Sequence, residues 1–346
     1  MAKLGTIDEL PKDYVDALET QSTVPLWPFL RGFLPLNKPE PQTHPFKWDY
    51  QKLRPLLLEA GELTPIEKAE RRVLVLCNPG FPAEDAKITS TLYAGIQLVK
   101  PGEVAPNHRH SPSAIRMVIE GDGGFTSVEG IKQPMYPGDL VLTPAGMWHE
   151  HGHVGGEPII WLDILDLPLI YGMGASYSEE GAPQHFQKRV DASDSEFSEA
   201  GTVPYETLDT SHNDYPLIRF PWKKARAALD SLSQTTEFGT PTRVAYVNPT
   251  TGRECLPVIG LSALLVRPGE TVNMPISSCS CVYKTIVGDG QIDIDNNLFR
   301  YQQHDVFSVP NFASVRLTNT STEYNSYFFI ADDAPLQRKI GIFETR

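Results

Sequence analysis

Cysteine is scarce in this chain. Its 346 residues hold four, Cys77, Cys255, Cys279 and Cys281, with a spacing that suggests no disulfide framework. Cys279-Ser280-Cys281 lacks the second pair that a thiolate metal site needs, which leaves buried or half-buried thiols. Long apolar runs are missing as well: nothing approaches the ~18 residues of a membrane-spanning helix. The opening residues, MAKLGTIDELPKDY, have no apolar core behind a basic start and do not read as an export signal. Reduced thiols in the cytoplasm are the resulting expectation. Positive charge is also in short supply. Lys and Arg number 30 against 43 Asp and Glu, a net charge of −13, which argues against nucleic acid or an anionic membrane as partner. An anionic ligand entering such a protein needs arginines placed locally.

What is abundant points to turns and strands. Thirty Pro, 26 Gly and 40% apolar residues fit an all-β chain long enough for two domains. The stretch from Pro101 to His153 holds five of the nine histidines. His108 and His110 are two apart, so in a strand both imidazoles face one way. His149 follows the turn YPGD and the apolar run LVLTP, which an antiparallel meander can return beside the first strand. Three neutral imidazoles would leave a divalent metal its full charge and open positions, which suits a chelating anion together with dioxygen. The ligand type fits Fe, Zn, Cu or Ni and does not choose among them.

Gly102, five residues, then His108-Arg109-His110, and Gly138, five residues, then Pro144-Ala145-Gly146 and His149, resemble the two signature motifs of cupins, small antiparallel jelly-roll barrels. The glutamate that usually follows the histidine pair is absent, and Arg116 stands in that region. HRHSPSAIRMVIEG, TPAGMWHEHGH, IIWLDILDLPL, AERRVLVLCNPG and TLYAGIQLVKPGE look more closely like the gentisate 1,2-dioxygenases, a family that includes salicylate and 1-hydroxy-2-naphthoate dioxygenases. That resemblance implies an all-β bicupin with an N-terminal helical arm, and Fe(II) on His108, His110 and His149. The implied reaction opens a hydroxylated aromatic acid (gentisate, salicylate or a 5-substituted salicylate) between the carboxyl-bearing carbon and its hydroxyl-bearing neighbour, using O2. A homotetramer is implied as well. The readings kept as alternatives are another metal-dependent cupin enzyme, an isomerase or decarboxylase, and a non-enzymatic ligand-binding bicupin.

Arg116 has the parity of His110, and a buried arginine calls for an anion; a substrate carboxylate competes for it with Asp163 or Glu120. His151 shares the facing of His149 and is the candidate acid/base or hydrogen-bond partner of a substrate oxygen; the resemblance implies that Asp163 orients it or Arg116. Asp166, beside a proline turn, reads as structural, and His153 as exposed. Tyr93, Gly95 and Gln97 share one strand face; either they line the pocket, or Gly95 marks a bulge and Tyr93 packs in the core. The resemblance also implies an arginine from the arm. Arg72 matches best, while Lys68 and Arg71 read as surface charge.

The expected divisions are a helical arm at 1–70, a metal-binding barrel at 71–170, a connector at 171–240 carrying one helix in PWKKARAALDSLSQ, and a second barrel at 241–346. The second barrel is a direct reading of internal duplication. VRPGE at 266–270 matches VKPGE at 99–103, HDVFSVP matches GDLVLTP, and a Gly-Asp-Gly follows each Pro-Gly-Glu at the same spacing. Counting along the repeat puts Pro275, Ser277 and Val315 where the first barrel has its three histidines, so the second should hold no metal. His304 stands alone and reads as surface.

Overall fold

The computed structural model describes residues 3–182, 191, 193–199, 201–208 and 214–346, so parts of the expected connector lie outside the described residues. Residues 1–41 form a unit of their own. Within it the helix Lys12–Thr20 follows Pro11, and its Lys12 and Asp16, one turn apart, form an exposed ion pair. Residues 42–346 form the second unit. Its first helix, Tyr50–Leu63, begins where the Asp49 carboxylate accepts from the backbone N–H groups of Gln51 and Lys52.

Two barrels follow, each built from a six-stranded sheet facing a smaller one. In the first barrel the six strands run in the order Arg219–Phe220, Leu140–Thr143, Ala114–Glu120, Ile159–Leu165, Tyr93–Val99, Val73–Val75. The opposing sheet runs Ser178–Glu180, Val104–His110, His149–His153, Gly124–Val128, Ile131–Pro134. In the second barrel the large sheet runs Phe46–Trp48, Val306–Val309, Cys281–Val287, Ser326–Asp332, Gly260–Val266, Thr242–Ala245, and the small one Thr271–Met274, Val315–Asn319, Gly290–Ile294, Asn297–Tyr301. Every pairing is antiparallel. Each large sheet ends in a short strand borrowed from outside its barrel. Phe46–Trp48 covers one open edge and Arg219–Phe220 the matching edge of the other.

Strand alternation sorts the side chains into two layers. Ala94, Ile96, Leu98, Ile115 and Met117 from the first barrel share one core with Leu261, Ala263, Leu265, Val282 and Phe329 from the second. The large sheets therefore pack back to back. Their other faces look into the two barrels. The helix Trp222–Ser233 buries Leu229 into the shared core, in agreement with the helix expected in the connector.

Candidate metal centre

His108 and His149 lie directly opposite each other across neighbouring strands. The register slips by one residue between Ala105 and His108, a bulge that carries His108 and His110 onto the inner face that Ala105 occupies. Each of the three rings is then locked by a short contact from Nδ1 to a backbone carbonyl: His108 to Pro106 at 2.7 Å, His110 to Pro112 at 2.7 Å, His149 to Met147 at 2.8 Å. A carbonyl only accepts, so each Nδ1 carries the proton and each Nε2 keeps its lone pair. Donor atoms of the three residues lie within 4.8 Å of one another. Burial pushes the His108 imidazole down to about 3, helped by the Arg71 charge, and His110 down to about 4. His149 is lowered well below its usual value by the same desolvation. The three rings are neutral, as ligation requires, and among the described residues the buried Nε2 atoms of His108 and His149 have no partner. Three converging neutral imidazoles fit a divalent transition metal.

Around this point lies a ring of buried polar groups. Arg116 is 3% exposed. Its Nε is 3.1 Å from Asp163 Oδ1, and its Nη1 donates to Thr143 Oγ1 at 3.0 Å. The Nε–Asp163 approach is an ion pair without hydrogen-bond alignment, since both atoms also count as unpartnered donors and acceptors. Asp163 accepts from Trp161 Nε1 at 2.9 Å; burial raises its pKa and the Arg116 charge opposes that rise. Arg116 thus pairs with Asp163, the structural reading, and among the described residues its Nη2 has no protein partner. Glu120 pairs with Arg54 instead. His151 belongs to the same group: its ring centroid lies 5.5 Å from that of His149, and its buried Nε2 has no partner among the described residues. Its Nδ1 lies 2.9 Å from Thr126 Oγ1, and that hydroxyl can donate to Met135 Sδ at 3.2 Å.

Tyr93, Gly95 and Gln97 line the inner face. Gly95 lies opposite Asp163 in an unbroken register, so it marks no bulge. A Cβ there would stand 2.5 Å from Val73 Cγ1 and 2.6 Å from the Tyr93 hydroxyl. Gln97 is buried with both ends of its amide unpartnered.

Four expectations change. Arg72 is buried, but both of its terminal nitrogens are held by Glu103 at 2.9 and 2.8 Å and its Nε by the Thr64 carbonyl at 3.0 Å. It sits opposite Leu98, on the outer face, because Val73 beside it pairs with inward Gln97. By the same alternation Arg71 faces the cavity; its charge acts on His108, His110 and His151. Glu70, at a positive φ of 54°, makes the turn that delivers it. His153 is buried rather than exposed, because the loop after it folds back and sets the Glu157 carbonyl 2.6 Å from its Nε2. His304 is half-buried rather than a surface residue. It packs edge-on to Tyr50 with ring centroids 5.2 Å apart, and its Nδ1 lies 3.4 Å from the buried Lys284 Nζ. Asp166 is structural as read: it accepts from the Ser113 N–H at 2.8 Å. Lys68 is exposed.

Comparison with known proteins adds to this geometry. The cupin domain model matches residues 95–165. A gentisate 1,2-dioxygenase of a Ralstonia species is 48% identical over 99% of this chain and 96% of its own length. A 5-aminosalicylate 1,2-dioxygenase of a Comamonas species is 34% identical over 97% of this chain and 89% of its own. The crystal structure of a salicylate 1,2-dioxygenase from Pseudoaminobacter salicylatoxidans, carrying gentisate, superposes with a TM-score of 0.90 at 28% identity, covering 100% of this chain and 95% of that one.

Proposed function

The chain belongs to the gentisate and salicylate 1,2-dioxygenases, bicupin enzymes that open hydroxylated aromatic acids with O2, and we propose that it uses Fe(II) and prefers gentisate. The observation that carries the site assignment is the locking of three Nδ1 atoms to carbonyls, which turns three neutral Nε2 lone pairs toward one point. His108, His110 and His149 hold the metal. When bound, Fe(II) supplies an electron path between the ring and dioxygen. The choice of gentisate rests on the 48% identical relative bearing that name.

The chain's own residues bind and orient. Arg116 takes the substrate carboxylate through its open Nη2, with Asp163 fixing the guanidinium plane. Arg71, in place of Arg72, adds a second positive charge at the entrance. His151 works as a base. With Thr126 accepting from Nδ1 and donating to Met135, Nε2 is bare and can take the proton of a substrate hydroxyl. Gln97 serves the ring's other polar substituent, and Tyr93 and Gly95 set the wall. Both oxygen atoms of O2 end in the ring-opened product, a maleylpyruvate-type acid when gentisate is the substrate. The exposed Trp27, Phe29, Phe33 and Leu34 support a partner surface, and we retain the homotetramer. Oxygen uptake with a panel of hydroxybenzoates and added Fe(II), Zn(II) or Mn(II) tests the metal and substrate; light scattering tests the assembly. Turnover of salicylate but not gentisate, or activity with Zn(II) alone, would overturn the corresponding assignment.

A further inference from the structure

The mouth of the second barrel keeps a cavity of about 560 Å3. Three arginines line it, Arg243, Arg253 and Arg338, against two carboxylates, Asp332 and Glu254. In a chain of net charge −13 this is a local excess of positive charge. Strand register explains how Arg243 comes to be there. Val73 lies opposite Gln97, and Arg243 lies opposite Leu264. Gln97 and Leu264 each stand two residues before the valine of their Val-Lys/Arg-Pro-Gly-Glu repeats. Arg243 therefore takes the place of Val73 on the strand that flanks the entrance, on the face that Arg71 shares in the first barrel.

Arg243 is held but not saturated. Its Nε donates to Ser262 Oγ at 2.9 Å and its Nη2 to Asp332 Oδ2 at 3.2 Å, while among the described residues Nη1 has no partner. Asp332 is in turn positioned by the Ala334 N–H on its other oxygen, at 3.1 Å. Arg338 pairs with Glu254 at 2.5 Å and lies over the Phe343 ring at 4.6 Å. Among the described residues the exposed Arg253 guanidinium has no partner. The apolar part of the cavity's lining comes from Val244, Tyr246, Val247, Leu261 and Phe343, while Leu264, Tyr283 and Ile330 fill the barrel interior as part of an apolar core. A ligand here meets an arginine fork beside an apolar lining, and among the described residues the only group of side chains placed to hold a metal is the three histidines of the first barrel.

We propose that this cavity is a second binding site, specific for a small organic acid with one carboxylate and an apolar or aromatic body. The carboxylate pairs with Arg243 Nη1 and Arg253, and the body rests against Phe343, Val244 and Leu261. With nothing to chelate, a hydroxyl beside the carboxylate adds nothing to affinity, whereas in the first barrel it does. The proposal stands apart from the ring-opening chemistry. Fluorine NMR of 3-fluorobenzoate with the metal-loaded protein, kept free of oxygen, tests it. Two bound environments are expected. Arg116→Gln should weaken one, and Arg243→Met the other, each by about tenfold or more. Ala245→Trp adds bulk at an exposed wall position and keeps the arginine; it should block the second environment even if Arg243→Met proves poorly folded. Competition should then show 3-fluorosalicylate favoured over 3-fluorobenzoate at the Arg116 site only. A single environment, or a second one that survives Ala245→Trp in a protein of unchanged melting temperature, would overturn the site.

Discussion

The two barrels share a backbone plan and differ in what fills it. Register matches them position by position. Where the first has Gln97, Arg116, Thr126, Gln133, His151 and Asp163 facing inward, the second has Leu264, Tyr283, Ile292, Phe299, Leu317 and Ile330. The second set packs into one apolar core. The first leaves buried atoms of Gln97, Gln133, His108, His149, His151, Arg116 and Asp163 without hydrogen-bond partners. Each such atom costs about 1–3 kcal/mol when nothing satisfies it. A fold able to fill this space with leucine and isoleucine instead keeps it polar, which is what a site built for a metal and a polar ligand requires. The bulge at Ala105–His108 belongs to the same difference, because the Thr271–Met274 strand pairs with Val315–Asn319 without a slip.

The largest effect should come from breaking the metal set. Elemental analysis should find close to one metal per chain. His108→Ala should bring that near zero and remove turnover, with the second barrel still folded by its own core. Two metals per chain would contradict the contrast between the barrels.

Next is Arg116→Gln, which moves the first interior one step toward the second. It keeps much of the volume and removes the charge. Losing a charge-assisted contact in a dry site should lower kcat/KM by roughly 30- to 1000-fold, about 2–4 kcal/mol. Metal content should hold. Because Asp163 loses its ion pair, melting temperature should fall as well. A variant that loses only stability, with wild-type affinity for the aromatic acid, would make Arg116 purely structural.

Much of this contrast was legible in the residues. His108, His110 and His149 announced themselves by spacing, and the repeat by VKPGE and VRPGE. Strand parity put Tyr93, Gly95 and Gln97 on one face without telling whether that face lines the pocket. Parity failed where the chain leaves the strand or where both faces are covered. Counting residues put Pro275 opposite the His108 place, but the count crosses the bulge; in the structure Met274 faces Val315 as His108 faces His149. Arg71 and Arg72 are adjacent, and only the pairing of Val73 with Gln97 tells which faces in. His153 is covered by a loop closing from beyond its own strand, and His304 by Tyr50 from a helix some 250 residues earlier, so no local pattern marks either.

The Arg71–Arg72 pair yields a smaller effect that sharpens the first barrel's side of the comparison. Arg71→Gln should raise KM about tenfold or less, since a third-exposed side chain is screened by water, and leave the melting temperature alone. Arg72→Gln should do the reverse, because it strands Glu103 beside a buried hole. Thermal melts and oxygen uptake on both variants check this; a KM effect confined to Arg72→Gln would reverse the assignment.

The smallest effect belongs to the second barrel and concerns Lys284. Register sets it at the place of Met117: each lies next to the inward Tyr283 or Arg116, and each faces the shared core. In CVYKTIV an outward lysine reads as solvated, but here the outward face is the contact between barrels, and Lys284 is 1% exposed. Its Nζ reaches only the Thr285 carbonyl at 3.3 Å and His304 Nδ1 at 3.4 Å, while the Asp305 carboxylate is taken by Lys47 and by the N–H groups of Tyr50 and Gln302. Burial pushes the Lys284 amine down from 10.5 to about 7, with Asp305 opposing. The unfolded chain then binds one more proton than the folded chain between those values. Stability should therefore rise as pH climbs from about 7 toward 10, and be lowest at and below 7. Above pH 10 the buried tyrosines reverse the trend, because burial raises the pKa of Tyr246 and Tyr283 in the folded state. Lys284→Met gives the second barrel the first barrel's residue, removes the amine and fills its volume. It should raise the melting temperature at pH 7 by a few degrees, roughly 1–3 kcal/mol, and flatten the rise between pH 7 and 9, with turnover unchanged. A variant less stable than wild type at pH 7 would mean that the charged amine is satisfied between the barrels, and that the two outer faces are not equivalent where the inner faces differ most.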